Sequence, residues 1–79
     1  MEINKFITDF ADQFDDTDPS EIMAETKFRE LKEWSSMTGL AILNMINTNY
    51  SVRLNFSEFK SVNTVQELFD LVSIYSDKE

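Results

Sequence analysis

Reactive side chains are few in this 79-residue sequence, and they belong to a narrow set of types. The chain contains no cysteine and no histidine. Their absence excludes thiolate nucleophiles, Ser-His-Asp triads, zinc sites of the Cys and His kind, and the usual general base at neutral pH. We therefore expect the chain not to be an enzyme. The main groups that remain are carboxylates and serine hydroxyls.

The carboxylates include a run of aspartates near the N-terminus: Asp9, Asp12, Asp15, Asp16 and Asp18. A calcium-binding loop that began at Asp16 would place Lys27 where an EF-hand needs a bidentate glutamate, and it would lack the central glycine. Such a charge run is typical of a solvated surface, so we expect no metal site. We also expect too little concave volume in so small a bundle for a substrate pocket of about 300 Å³ or more.

Two adjacent serines, Ser35 and Ser36, stand before an apolar segment. Ser35 has the position of a helix N-cap, which is the simplest role for a serine there. Ser36 would then be the first helical residue, with an accessible hydroxyl group. A phosphate joined to that hydroxyl would lie at the positive end of the helix dipole, near free backbone N–H groups. These residues leave two alternatives open: the serines only begin a helix, or Ser35 caps the helix and Ser36 is also modified.

The elements around the serines are predicted to be helices. One glycine and one proline are too few for the turns of a sandwich or barrel. We predict a single domain over residues 1–79: an all-α, small up-down bundle of three main helices plus one short helix, with a long first loop. The first helix, of about 12 residues, carries an apolar stripe at spacings of three and four: Ile3, Phe6, Ile7, Phe10 and Phe14.

A long connection, residues 15–35, follows this helix. Connections of this length are uncommon unless they pack down or are functional. Phe28, Leu31 and Trp34 are spaced by three, and we expect them to hold the loop against the core. A second helix is predicted over residues 36–49. Its helical wheel turns one apolar face to the core: Gly39, Leu40, Leu43, Ile46 and Tyr50, bordered by Ile42.

The last part of the chain contains a short helix and a long one. Residues 55–60 are predicted to form a single turn that carries Phe56 and Phe59. Thr64 and Glu67 have the spacing of a capping box, which predicts that the last amphipathic helix begins there. Its apolar positions continue to Tyr75.

The charge balance bears on partners and location. Fifteen acidic and seven basic residues give a net charge of −8. Nucleic acids and anionic membranes are therefore poor partners, because phosphate contacts need lysine and arginine. No apolar run approaches the length of a membrane span, and the first residues lack the apolar segment of a signal peptide. We expect a cytoplasmic monomer that binds proteins.

The sequence resembles acyl carrier proteins over nearly its whole length. Ser35-Ser36-Met37 resembles the family's Asp-Ser-Leu motif, whose serine is the attachment residue. The other matches are Phe28 and Leu31 with the family's Phe-x-x-Leu, Ile46 and Tyr50 with its apolar residues late in the second helix, Val52-Arg53-Leu54 with the following link, and Val62-Asn63-Thr64-Val65-Gln66-Glu67-Leu68 with the entry into the last helix. Ser35 in place of aspartate is the main departure. Glu33 and Trp34 stand where small residues are common.

The resemblance implies a carrier function. A phosphopantetheinyl transferase would join 4′-phosphopantetheine from coenzyme A to Ser36. The thiol of that arm would carry acyl groups as thioesters between acyl-loading, condensing and other acyl-transfer enzymes of fatty-acid or polyketide type. The alternative is an unmodified acidic helical adaptor that keeps the fold and only binds a protein partner. Ser35 supports that alternative, because it brings no negative charge to the transferase.

The second helix is also the expected docking surface for partners. No acidic residue lies between positions 34 and 57. We predict a partly apolar docking face beside Ser36, formed by Ser35, Met37, Ala41, Asn44 and, at its flank, Met45. Association should then depend less on salt near the site, while acids of the first loop attract partners over a longer range. The alternative is that these are ordinary surface positions.

The resemblance finally implies a place for the cargo, since carriers of fatty-acid type can shelter an acyl chain behind the second helix. The matching positions are Ile46, Leu54, Phe59, Val62 and Leu68. An inward-pointing Phe59 ring would fill the space that a chain would occupy. We therefore expect little or no shelter, with the acyl group near solvent or against the Met37 face. A Phe59 that points outward is the alternative.

Overall fold

The computed structural model describes residues 2–76. Its elements are four helices: α1 (Ile3–Ala11), α2 (Ser36–Tyr50), α3 (Phe56–Lys60) and α4 (Val65–Ser76). Two single 3₁₀ turns, Pro19–Glu21 and Phe28–Glu30, lie in the connection between α1 and α2. The predicted all-α bundle of three main helices, one short helix and a long first loop is confirmed. Within the described residues no strand forms, and one isolated bridge pairs Lys27 with Thr64.

Local side-chain hydrogen bonds define where the later helices begin, and a residue with a left-handed backbone marks where α2 ends. Asn55 and Glu58 form a reciprocal capping box at the start of α3. Thr64 and Glu67 do the same before α4, with the Thr64 Oγ1 accepting the Glu67 N–H at 3.1 Å. These caps satisfy N–H groups of the first helical turn that have no intrahelical acceptor. Ser51 ends α2 in a left-handed conformation (φ 56°, ψ 34°).

Aromatic rings form the framework of the core. Phe6, Phe10 and Phe28 are fully buried. The ring centroids of Phe10 and Phe28 are 5.6 Å apart, and those of Phe28 and Phe59 are 5.7 Å apart. At the other end of the row, Phe6 contacts Phe69 of α4 at 5.5 Å. The row therefore joins α1, the first loop, α3 and α4. Its rings meet at the distances that are favourable for aromatic pairs.

Helix α1 is shorter than its apolar stripe. It ends at Ala11 rather than near Phe14, yet the Phe14 side chain is buried and its ring lies 5.5 Å from that of Phe10. A polar contact joins α1 to the end of α2, because the Tyr50 hydroxyl donates to the Asp9 carboxylate at 2.8 Å. Burial and this neighbouring carboxylate raise the pKa of Tyr50 above its ordinary value.

Helix α2 is rotated about its axis from the predicted orientation. Its buried residues are Gly39, Ile42, Met45 and Ile46. Leu40, predicted to face the core, is 58% exposed. Met45, predicted at the flank of the docking face, is only 5% exposed, so that prediction is wrong. Apolar residues occur around most of the circumference of α2, so its own periodicity does not select the face that packs.

The first loop is held against α3 and α4. The N–H groups of Val65 and Gln66 donate to the carbonyls of Thr26 and Ala24 at 3.2 and 2.8 Å. Phe28 is buried, and Leu31 and Trp34 pack against the core, as predicted from their spacing.

Arg29 ties the same loop to the end of α3. Its guanidinium group donates to the carbonyl oxygen of Phe59 at 2.6 Å and to that of Val62. It also lies over two rings, 4.9 Å from the centroid of Phe28 and 5.4 Å from that of Phe59. The guanidinium group thus adds a charged donor to carbonyls at the end of a short helix, where intrahelical donors are few.

Among residues 2–76, five large apolar side chains remain exposed: Met23, Met37, Leu40, Phe56 and Ile74. They come from the first loop and from three different helices. In the part of the chain that the structure describes, no helix is both long enough and apolar enough to cross a bilayer.

Arg29→Ala should lower the free energy of unfolding by about 2 kcal/mol, because two carbonyls lose a charged hydrogen-bond donor. Arg53→Ala is the matched control, since Arg53 is exposed in the link after α2, and it should change stability by less than about 0.5 kcal/mol. Urea unfolding followed by circular dichroism measures both. Equal effects of the two substitutions would contradict this role of Arg29.

Candidate functional site at the start of α2

Ser36 is the first residue of α2, and its side chain is exposed. Before it, Ser35 has an extended backbone (φ −154°, ψ 172°), and its Oγ accepts the Thr38 N–H at 3.3 Å. The predicted N-cap is thus confirmed. Within residues 2–76 the Ser36 hydroxyl makes no hydrogen bond. The two serines therefore differ in role: Ser35 caps the helix, while the hydroxyl of Ser36 is accessible.

Backbone donors accompany that hydroxyl. The first turn of a helix has N–H groups without intrahelical acceptors. Ser35 satisfies the one on Thr38, whereas those of Ser36 and Met37 have no acceptor within the described residues. The 15-residue α2 also places the positive end of its dipole here. The surroundings of the Ser36 hydroxyl therefore favour a negatively charged substituent.

Glu33 anchors the segment that leads into α2. Its carboxylate accepts the backbone N–H groups of Asp15 and Asp16 at 3.1 and 2.8 Å. It also accepts the Thr17 hydroxyl at 2.6 Å. The Thr17 hydrogen bond, supported by the two backbone donors, lowers the pKa of Glu33 below its ordinary value. The entry to α2 is thereby fastened to the beginning of the first loop.

Trp34 anchors the same segment from the other side. Its ring centroid lies 5.1 Å from that of Phe28 and 6.0 Å from that of Phe59. Gly39 of α2 lies directly against these rings, since a Cβ atom there would be in ordinary van der Waals contact, 3.4 Å from Phe59 and 3.5 Å from Trp34. The start of α2 is therefore fixed both by hydrogen bonds and by ring packing.

A cleft of about 370 Å³ opens beside Ser36. Three aromatic side chains line it, Trp34, Phe56 and Phe59, together with Ser35, Ser36 and Gly39 around the start of α2. The volume exceeds what we expected of so small a bundle, and that expectation was wrong. The reason is its location, because the space lies at the surface between the first loop, α2 and α3 rather than inside the core.

The predicted docking residues are only partly together on the surface. Met37 is 80% exposed, and Asn44 and Ser35 are also exposed, whereas Ala41 is half-buried. Leu40 was missed as a surface residue, although it follows Met37 by three positions and therefore lies on the same side of the helix. The exposed apolar part of this face consists of Met37 and Leu40.

The five positions matched to a cargo shelter are all buried: Ile46, Leu54, Phe59, Val62 and Leu68. Phe59 is 2% exposed, so its predicted inward orientation is confirmed and the outward alternative is wrong. Of these five only Phe59 lines the cleft. An acyl chain could enter the core only if these buried residues moved apart. The cleft lies outside them, at the surface.

Phe56 and Lys60 were not anticipated as residues beside the serine. The signal that could have placed them is the spacing of Asn55 and Glu58, which is that of a capping box. That spacing fixes the register of α3, and with it the separation of Phe56 and Lys60 by one helical turn. Their approach to Ser36 depends on packing between distant parts of the chain.

No family model, curated protein or solved structure matches this chain. What the site can do chemically follows from its own geometry. An exposed hydroxyl, free backbone donors and an adjacent cleft suit Ser36 to accept a phosphate-linked group from a partner enzyme. Nothing in this arrangement activates the hydroxyl as a nucleophile, since no general base contacts it within residues 2–76.

Acidification should release the first loop from Glu33. The pKa of Glu33 is lowered from 4.5, so these contacts stabilise the fold above that value and are lost as the pH falls through the folded-state pKa. Amide chemical shifts of Asp15 and Asp16 measure the release. In Glu33→Gln the pH-dependent change of these chemical shifts that arises from protonation of Glu33 should disappear. Identical titration curves in the two proteins would contradict the assignment.

Proposed function

We propose that this protein is an acyl carrier protein, which holds acyl or related groups as thioesters on a 4′-phosphopantetheine arm joined to Ser36. The observation that carries the proposal is the accessible hydroxyl of Ser36 at the start of α2, which makes no hydrogen bond to the described residues. The adjacent Ser35 is occupied as the N-cap. The resemblance of the flanking sequence to the carrier family supports the same residue.

The residues present fit the group. A phosphodiester at Ser36 carries a negative charge, which the helix dipole and the N–H groups of Ser36 and Met37 favour. The cleft beside the serine offers space for the atoms that follow the phosphate. No acidic residue lies between positions 34 and 57 to repel it along the chain.

The chain's own residues have a positioning role in this function. Glu33 and Trp34 hold the entry to α2, so that a modifying enzyme meets the Ser36 hydroxyl in one place rather than on a mobile loop. The arm, when bound, supplies the thiol that a chain without cysteine lacks. The remaining helices keep this handle folded and present the surface that partner enzymes recognise.

The partners proposed are a phosphopantetheinyl transferase and the acyl-loading, condensing and other acyl-transfer enzymes of a fatty-acid or polyketide pathway. The proposal includes a cytoplasmic location and a monomeric carrier. Met37 and Leu40 supply apolar contact beside the serine, while the net charge of −8 attracts basic partner surfaces over a longer range. Because Ser35 carries no charge, recognition of this carrier depends more on the apolar contacts.

Co-expression with a broad-specificity phosphopantetheinyl transferase should add the mass of one phosphopantetheine group to the protein. Ser36→Ala should abolish the gain. Ser35→Ala is the matched control and should retain it, while losing about 1 kcal/mol of stability with the N-cap. Intact mass spectrometry reads all three. No gain in the unaltered protein would leave the unmodified adaptor, and a gain that persists in Ser36→Ala would also defeat the assignment.

Met37→Glu and Leu40→Glu should each lower kcat/KM for modification by that transferase about tenfold, the effect expected when an apolar contact at a small interface is lost. Ile74→Glu serves as the control, since Ile74 is similarly exposed but lies on α4. The rates are measured by the time course of the mass change. If all three variants react like the unaltered protein, the face formed by Met37 and Leu40 is not a docking surface.

A further inference from the structure

Three aromatic side chains line the cleft beside Ser36. The Phe56 and Phe59 rings are nearly parallel, with an interplanar angle of 8° and centroids 6.4 Å apart. The Trp34 ring lies 6.0 Å from Phe59 at an angle of 34°. Phe56 is 51% exposed, so part of this aromatic wall is open to solvent. Flat aromatic walls favour flat aromatic ligands, because rings stack or meet edge to face.

The charge of the cleft is opposite to that of the whole protein. Its charged lining residues are Arg29 and Lys60, and no carboxylate of residues 2–76 lines it. Lys60 lies over the Phe56 ring, with its Nζ 5.3 Å from the centroid, and has no ion-pair partner among residues 2–76. In a chain with net charge −8, this is a local positive site bounded by rings. It suits an anionic group carried on an aromatic ring.

Size and position limit the ligand further. The volume of about 370 Å³ is near the lower end of small-molecule sites, which span about 300–1,000 Å³. The core behind the cleft is closed by Phe59, Ile46 and Leu68, so a long saturated chain would leave part of its length in solvent unless the core opened. A single substituted ring needs no such opening.

We infer that this cleft is a binding site for a planar aromatic acid, of the benzoate class, which packs against the lining rings of Trp34, Phe56 and Phe59 with its anionic group near Lys60. The inference rests on the proposed function in one respect. When the cargo of the arm on Ser36 is a ring with a second, acidic or strongly polar substituent, its carboxyl group forms the thioester and the substituent remains to contact Lys60 in the same cleft. The protein is then a carrier of aryl groups with an acidic or strongly polar substituent.

Binding of free ligands to the unmodified protein tests the site without any loaded arm. Trp34 is the only tryptophan in the chain, so its fluorescence reports on the cleft directly. The probes are benzoate, cyclohexanecarboxylate, benzyl alcohol and octanoate. Benzoate should bind weakly, with a dissociation constant on the order of 10 mM, as expected for so few atoms.

The comparisons among probes isolate the two properties of the cleft. Benzoate should bind about two- to tenfold more tightly than cyclohexanecarboxylate, because only the aromatic ring stacks on the walls. It should also bind about two- to fivefold more tightly than benzyl alcohol, because of the nearby cation. Octanoate that binds as tightly as benzoate, or cyclohexanecarboxylate that does so, would overturn the inference.

Variants locate the ligand. Phe56→Leu and Lys60→Gln should each weaken benzoate binding about two- to fivefold, and Lys60→Gln should leave benzyl alcohol unaffected. Gly39→Ala should also weaken binding, since its methyl group enters the space beside Trp34 and Phe59. The same substitution should raise helix stability, so a loss of binding there is not a loss of fold. Lys32→Gln, an exposed lysine that does not line the cleft, is the matched control.

The readouts separate this inference from the carrier proposal. Amide chemical shifts of the unmodified protein with benzoate should change at Trp34, Phe56 and Lys60. Changes confined to other residues, or equal weakening by Lys32→Gln and Lys60→Gln, would refute the site whether or not Ser36 is modified. Conversely, a failed mass gain at Ser36 with intact benzoate binding would remove the carrier proposal and leave the binding site.

Discussion

The insertion of Phe28 into the core is the contact on which the rest of the structure depends. This residue belongs to a 3₁₀ turn of the long first loop, yet it is fully buried and its ring contacts those of Phe10, Trp34 and Phe59. A long loop loses much conformational entropy when it is ordered, at roughly 1–2 kcal/mol per residue for the backbone. Burial of its aromatic side chains and its hydrogen bonds to α4 offset that loss. The same contacts set the position of the chain at Trp34, directly before the serine pair.

This constraint also explains why the accessible hydroxyl and the aromatic cleft occur together. The Trp34 ring that fixes the entry to α2 is also a wall of the cleft, and Phe59 is shared between the core and the cleft floor. Arg29 ties the loop to the end of α3 while contributing positive charge nearby. Acidic residues elsewhere give the chain its net charge of −8, so the proposed attraction of partners and the proposed ligand binding in the cleft involve opposite signs of charge. A carrier that draws in basic enzymes while sheltering an anionic ring is consistent with both.

Local features were predictable from the sequence, because they depend on residues three or four apart. The Ser35 cap, the Thr64 and Glu67 capping box, and the burial of Phe28 are of this kind. The rotation of α2 was not predictable, since apolar residues surround that helix and only the neighbouring elements decide which of them pack. Leu40 and Met45 exchanged their expected environments for that reason. The cleft was missed because it needs the loop, α2 and α3 in contact, which no spacing within one segment encodes.

The central claim is that Ser36, and not its neighbour, bears a phosphopantetheine arm in the living cell. Fragmentation mass spectrometry of the protein isolated from its natural source tests this most directly, because it requires no chosen transferase and assigns the modified residue. We expect the arm on the hydroxyl oxygen of Ser36 in at least part of the protein. A chain whose Ser36 is unmodified throughout, or whose arm lies on Ser35, would contradict it.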